Sequence, residues 1–171
     1  MSFSHLSHSE ICFTSALLTN SIFCLSKQMK KPFAHLDCMY APSFFFLDVD
    51  FFKAVNDRYG HQIGDSVLVE FSQLIKQGIR NTDVLSRWGG EEFIALLPET
   101  SLANAAIIAE KLRALVEEHV FSTAEKLTAS CGVAQVKKQP EGERQAIPNV
   151  DAALYQAKRD GRNRVVVFYQ D

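Results

Sequence analysis

The 171-residue sequence has no basic excess: 18 Lys and Arg stand against 20 Asp and Glu, for a net charge of −2. Proteins that grip nucleic acid or an anionic membrane without regard to sequence need surplus positive charge, so that class is excluded. Cysteine is scarce as well. Cys12, Cys24, Cys38 and Cys131 form no C-x2-C pair, and their spacing matches no zinc pattern. A disulfide scaffold and a structural zinc site are set aside, and the thiols read as free in a reducing compartment. Long apolar runs are missing too. The richest stretch, Ile11 to Leu25, is interrupted by Thr14, Ser15, Thr19, Asn20 and Ser21, which makes it too short and too polar to span a bilayer. The preceding Ser2 to Glu10 carries no Lys or Arg, a poor signal peptide. The expectation is a soluble, cytoplasmic chain with no membrane span and no nucleic-acid partner. What is present is core material: 47% apolar and 22% charged residues, ordinary values for a globular domain.

Residues 1–42 carry the weakest pattern. Ile11, Leu18, Ile22 and Leu25 fit a helix over about 9–30, and Pro32 and Pro42 punctuate a loop. From Ser43 the pattern sharpens, and the domain is expected to run over 43–171. Ser43 to Asp50 (SFFFLDVD) reads as a buried central strand whose carboxyl end carries two acids. Gly60 and Gly64 bracket an expected turn. Asp65 to Arg80 then puts Val67, Leu68, Phe71, Leu74, Ile75 and Ile79 on one helical face. Val84–Trp88 and Glu92–Leu97 are strands of a hairpin turning at Gly89-Gly90. Ala105, Ile108, Ala109, Leu112 and Val116 define a helix over about 101–119, followed by a strand over Leu127–Val136. A charged loop is expected over 137–148, then a helix over about 149–160 and a last strand at Val165–Tyr169. This order predicts an α+β fold: a ferredoxin-like or palm βαββαβ core, its sheet mainly antiparallel, with helices over one face.

Chemistry gathers at the strand ends. Alternate residues of a strand point the same way, so Asp48 and Asp50 share a side, and Asp48 is expected to converge with Glu91 if the first strand neighbours the hairpin. Two hard carboxylates beside an open turn suit Mg²⁺, which fills its remaining positions with phosphate oxygens and water. Lys53, Asn56, His61 and Asp65 follow within one short stretch. A lysine there can neutralise a transferring phosphoryl group, and Asn with Asp can read a purine edge. Each also has a plain structural explanation. Asp65 suits a helix N-cap, Asn56 a turn, His61 a packed loop and Lys53 a solvated helix charge. Taken singly the plain explanations are stronger; taken together, in this order, they are weaker.

The segments DVDFFKAVNDRYGHQIGDSVL at 48–68, RWGGEEF at 87–93 and DAALYQAKRDGRNR at 151–164 resemble the GGDEF domain of diguanylate cyclases. The likeness covers about residues 43–169, with the family's signature present as Gly89, Gly90, Glu91, Glu92 and Phe93. It implies a nucleotidyl cyclase-like fold that condenses two GTP into cyclic di-GMP and pyrophosphate, with two such domains facing each other as a homodimer. By position, Asp48, the Val49 carbonyl and Glu91 would hold Mg²⁺ (or Mn²⁺), two ions per active site. Glu91 is the implied acceptor of the 3′-hydroxyl proton, with Glu92 as a helper, and Lys53 the residue that stabilises phosphate charge. Asn56 and Asp65 would recognise guanine, with His61 lining the same site and Phe51 and Gly90 near the phosphates. Lys158 and Arg162 would grip the triphosphate.

Arg80 and Asp83 stand at the offset of the family's R-x-x-D product-binding inhibitory site, and Lys111 near a secondary basic contact. A cation is also favoured at a helix C-terminus for its own sake, and Asp83 suits an ordinary loop. The usual D-x-L-T-G-L-x-N-R-R segment of relatives is not seen in residues 1–42, which makes this front end divergent. Two functions from different classes therefore stand: an active diguanylate cyclase with product feedback, or a catalytically weak or inactive domain that serves as a cyclic di-GMP receptor. A cyclase making a different product is a third.

Overall fold

The computed structural model describes residues 41–122, 126–137 and 142–169. The expected helix over 9–30, Cys12, Cys24 and Cys38 lie outside them. The elements run β1 (Ser43–Val49), α1 (Phe52–Tyr59), α2 (His61–Gly78), β2 (Val84–Gly89), β3 (Glu92–Leu97), α3 (Leu102–Glu118), β4 (Ala129–Gln135), α4 (Gly142–Arg159) and β5 (Val165–Val167). The sheet order is β2-β3-β1-β4-β5. All neighbouring pairs are antiparallel except β4 and β5, which are parallel and joined through α4.

β1 is central because every one of its side chains is apolar or small until the acid at its end, and all seven residues are buried. Alternation divides them between two cores. Phe45, Leu47 and Val49 join Phe93, Ala95, Leu97, Ala129, Cys131 and Val133 on one face, covered by Val55 of α1, Val67, Phe71 and Ile75 of α2, and Ala109, Leu112 and Val116 of α3. Phe44 and Phe46 join Ile94, Leu96 and Ala134 on the other, covered by Ala146, Val150 and Leu154 of α4. Helices therefore cover both faces, not one as expected. A strand buried on both sides needs apolar residues at every position, which is how β1 reads. Cys131 lies in the first core, where burial pushes its thiol pKa up and leaves it an unreactive packing residue.

Three local expectations are corrected. The helix expected from Asp65 begins at His61, after a separate short helix, α1. Gly64 is therefore inside α2 and marks no turn: a Cβ there would collide with Asn56 Oδ1 and lie 3.2 Å from Phe52 Cζ, so this glycine is what lets α1 and α2 pack closely. The segment 142–148, expected as loop, is the start of α4 and carries Pro148 inside it. Pro148 lies past the first turn, so α4 forgoes the hydrogen bond that an N–H there would make to the residue four positions back.

Candidate functional site

β1 ends where its two antiparallel neighbours begin. Asp48 is paired with Glu92 of β3 on one side and Ser130 of β4 on the other. The residue directly across from Asp48 is thus Glu92. Glu91 sits in the turn before β3, and its carbonyl accepts from the Val49 amide at 3.4 Å, so it adjoins the same strand end. Gly90 supplies the turn with a left-handed φ of 51°, and Arg87 Nε donates to its carbonyl at 2.7 Å.

Asp48 belongs by alternation to the α4 face, and α4 answers it. Lys158 Nζ lies 2.8 Å from Asp48 Oδ2 and 3.7 Å from Glu92 Oε1. Burial pushes the Asp48 carboxyl up from 3.8 to about 6; Lys158 pulls it back, while the charges of Glu91 and Glu92 push it further up. The strand end is a desolvated, electronegative place whose cation is an ammonium group.

Asp50 is also buried, but it faces hydroxyls and an amide. Its carboxylate accepts from Thr128 Oγ1 at 2.7 Å, Ser130 Oγ at 2.7 Å and the Asn163 amide at 3.0 Å. Between the two acids and α1, Phe51 is held at φ 57° with its ring exposed, and the Arg162 guanidinium stacks 4.7 Å from that ring.

The remaining residues fall in two further places. Lys53 is exposed on α1 and pairs with Asp57 at 2.7 Å. Asn56, half-buried on α1, has its carboxamide oxygen against Gly64 of α2, while His61 and Asp65 are exposed in the first turns of α2. The other place lies beyond the C-terminal end of α2. The Asp83 carboxylate is buried and accepts from the Arg80 amide at 2.8 Å; the Asp83 amide returns a bond to the Arg80 carbonyl at 3.0 Å. This closed turn leaves the Arg80 side chain exposed. Lys111 is exposed on α3, next to Leu112, which packs against Gly78 near the end of α2.

The residues tying this site together that sequence reasoning left unassigned are Thr128, Ser130 and Asn163. Their only signal was polarity at the mouth of an otherwise apolar strand and in the turn after α4.

A family model for the diguanylate cyclase GGDEF domain matches residues 20–164. The chain belongs to the GGDEF family. Diguanylate cyclase A of Treponema denticola is 42% identical over 128 residues, 73% of this chain and 34% of that protein. The GGDEF domain of DgcB from Caulobacter crescentus, solved in complex with c-di-GMP, superposes with a TM-score of 0.77 at 29% identity, covering 85% of this chain and 88% of that one. The active GGEEF domain of a diguanylate cyclase from Vibrio cholerae does so with a TM-score of 0.72 at 32% identity, covering 87% and 90%. The GGDEF chain spans about a third of the length of the curated relatives it matches. The expected palm fold is the fold of these neighbours. No helix among the described residues is long and apolar enough to cross a membrane.

GGDEF diguanylate cyclases use divalent metal ions. Among the described residues no group of three His, Cys, Asp or Glu side chains is arranged to hold one alone. The donors present, two or three carboxylates at a strand end, fit an ion that takes only one or two protein carboxylates and completes its shell from phosphate and water. The ammonium of Lys158 between Asp48 and Glu92 marks where positive charge is wanted.

Proposed function

We propose that this GGDEF domain, comprising residues 43–171, is a diguanylate cyclase that condenses two GTP into cyclic di-GMP and pyrophosphate. The observation that carries this reading is the desolvated Asp48 carboxylate, set beside Glu91 and Glu92 and bridged by Lys158. Asp48, the Val49 carbonyl and Glu91 hold Mg²⁺ or Mn²⁺, which when bound supplies charge neutralisation at the phosphates and polarises the reacting oxygens. Glu91 takes the proton from the attacking 3′-hydroxyl, with Glu92 assisting. A bond forms from that oxygen to the α-phosphorus of the other GTP, the bond to the β-phosphate breaks, and pyrophosphate leaves. Repeating this from the facing domain closes the ring, so the working unit is a homodimer. Lys53, Lys158 and Arg162 carry the phosphate charge. Lys158 already reaches the strand end, and transfer to a phosphate oxygen costs it only an exchange of anionic partners. Gly90 and Phe51 border the phosphates. Such a reaction asks the protein mainly for positioning and electrostatic stabilisation.

Asn56 and Asp65 recognise guanine, with His61 beside them. Gly64 supports this pocket because only a missing Cβ leaves room for the Asn56 carboxamide. Gly64→Ala is expected to push Asn56 aside and raise the KM for GTP roughly tenfold, the scale of one or two lost hydrogen bonds, with kcat changed less. Steady-state kinetics against GTP check this; an unchanged KM means Asn56 does not read the base.

Product feedback is assigned to Arg80, Asp83 and Lys111. The buried Asp83 turn holds the Arg80 backbone so that its guanidinium is free to fork onto a guanine edge or phosphate. Arg80→Ala is expected to weaken cyclic di-GMP binding by about 1–3 kcal/mol and to relieve inhibition, read by calorimetry and by progress curves. Identical isotherms for the two proteins would misplace the site.

Incubating the purified chain with GTP and Mg²⁺ and assaying for cyclic di-GMP tests the main reading. Tight binding of cyclic di-GMP with no turnover would make the chain a receptor instead.

A further inference from the structure

Gly161, Arg162 and Asn163 are three consecutive residues with positive φ, at 109°, 63° and 46°. Glycine is at ease there and asparagine tolerates it, but arginine in the left-handed region persists only when its surroundings hold it. The helix end accounts for part of that. The Arg162 amide donates to the Ala157 carbonyl at 3.0 Å, the closing bond of a glycine-capped helix end. A glycine cap explains Gly161; it does not require the next two residues to stay left-handed.

What holds them is Asn163. Its amide donates to the buried Asp50 carboxylate at 3.0 Å. Its side-chain oxygen accepts from Arg113 Nη1 at 2.7 Å, and its side-chain nitrogen donates to Glu117 Oε1 at 2.9 Å. Arg113 is in turn fixed on α3 by Glu110 at 2.8 Å and Glu117 at 2.7 Å. Asp50 is anchored by the Thr128 and Ser130 hydroxyls. One asparagine therefore pins the turn after α4 to the end of β1 and to the last turns of α3, and through Asp50 to the start of β4. The residue so aimed is Arg162, whose guanidinium is steered over the Phe51 ring.

We propose that Asn163 and Asp50, braced by Arg113 and Glu117, are positioning residues that fix Arg162 in its phosphate-binding pose. The inference rests on the GTP-binding role of Arg162 stated above. Neither Asn163 nor Asp50 touches the nucleotide in this account. They set the backbone from which Arg162 reaches, so their loss is felt through Arg162 alone. An arginine already held in place surrenders little conformational freedom when the triphosphate arrives.

The test is a double-mutant cycle on the full chain, read as dissociation constants for a non-hydrolysable GTP analogue with Mg²⁺. Asn163→Gly is the informative variant, since glycine accepts φ 46° and keeps the amide bond to Asp50 while removing both side-chain bonds. Arg162→Ala and Asn163→Gly are each expected to weaken binding, about tenfold and several-fold respectively, the scale of one charge-assisted contact. In the Arg162→Ala background Asn163→Gly should add nothing, a non-additivity that general loosening of the fold would not produce. Additive losses, or an Asn163→Gly protein that binds like the wild type while Arg162→Ala does not, would overturn the inference and leave the GTP reading intact. If Arg162→Ala itself binds the analogue normally, the phosphate role of Arg162 falls and the positioning role falls with it. Should Asn163→Gly unfold, Arg113→Met, a helix-compatible change on α3, enters the same cycle with the same outcomes.

Discussion

Asp48→Asn is expected to lower cyclic di-GMP formation by about 10²–10³-fold, the scale of losing one preorganised electrostatic contact at a reacting phosphate. The same change is expected to raise stability in metal-free solution. Asp48 is pushed up from 3.8 to about 6, chiefly because burial penalises its charged form, with Lys158 only partly opposing. The folded state thus binds the Asp48 proton more tightly than the unfolded chain does. Stability from the neutral carboxyl is complete below about pH 4 and is lost as pH rises through about 6, leaving an ionised group that costs up to about 3 kcal/mol at pH 7.5. Asparagine fills the same space without that charge. With EDTA present, the melting temperature of Asp48→Asn should match the wild type near pH 4 and exceed it increasingly up to pH 7.5. Mg²⁺ should then stabilise the wild type and leave the variant unmoved. A difference that stays flat across this range would mean that the carboxylate is not desolvated. Active sites commonly sacrifice stability in this way, since a well-solvated carboxylate would have less to gain from a bound cation.

The second large effect is in the packing. Gly132 of β4 faces α4 so closely that a Cβ would strike the backbone of Leu154 and Val150 and come within 2.9 Å of Leu154 Cα. No rotamer change relieves a clash with a helix backbone, so Gly132→Ala must lift α4 off the sheet. The expected destabilisation is about 3 kcal/mol, at the upper end for overpacking, and lowers the melting temperature by roughly 10 °C. Activity should fall further than stability alone requires, because α4 also carries Lys158 to Asp48 and leads into Arg162. Thermal unfolding and turnover measured on the same preparation check both halves. A variant that melts with the wild type would show that the sheet and α4 are not in such close contact.

The two glycines that matter most, Gly64 and Gly132, were visible in the sequence, but their reasons were not. Gly64 pairs with Gly60 at a spacing that suggests a turn, and nothing local distinguishes a turn glycine from one that admits a neighbouring helix. Pro148 likewise reads as a boundary, yet it lies inside α4. For Gly64 the deciding contact, the Asn56 side chain, comes from another element.

The amino-acid sequence by itself determined the buried central strand, the apolar faces of α2 and α3, the hairpin and the family, since each is written in short-range periodicity or in a contiguous motif. Only the tertiary structure decided that α4 covers the opposite face, that Glu92 stands across from Asp48, and that Lys158 and Asn163 meet acids 110 and 113 positions earlier. The physical reason is that alternation along a strand says which residues share a side, whereas the parallel β4–α4–β5 crossover sets which helix lies on that side and where its last turn ends.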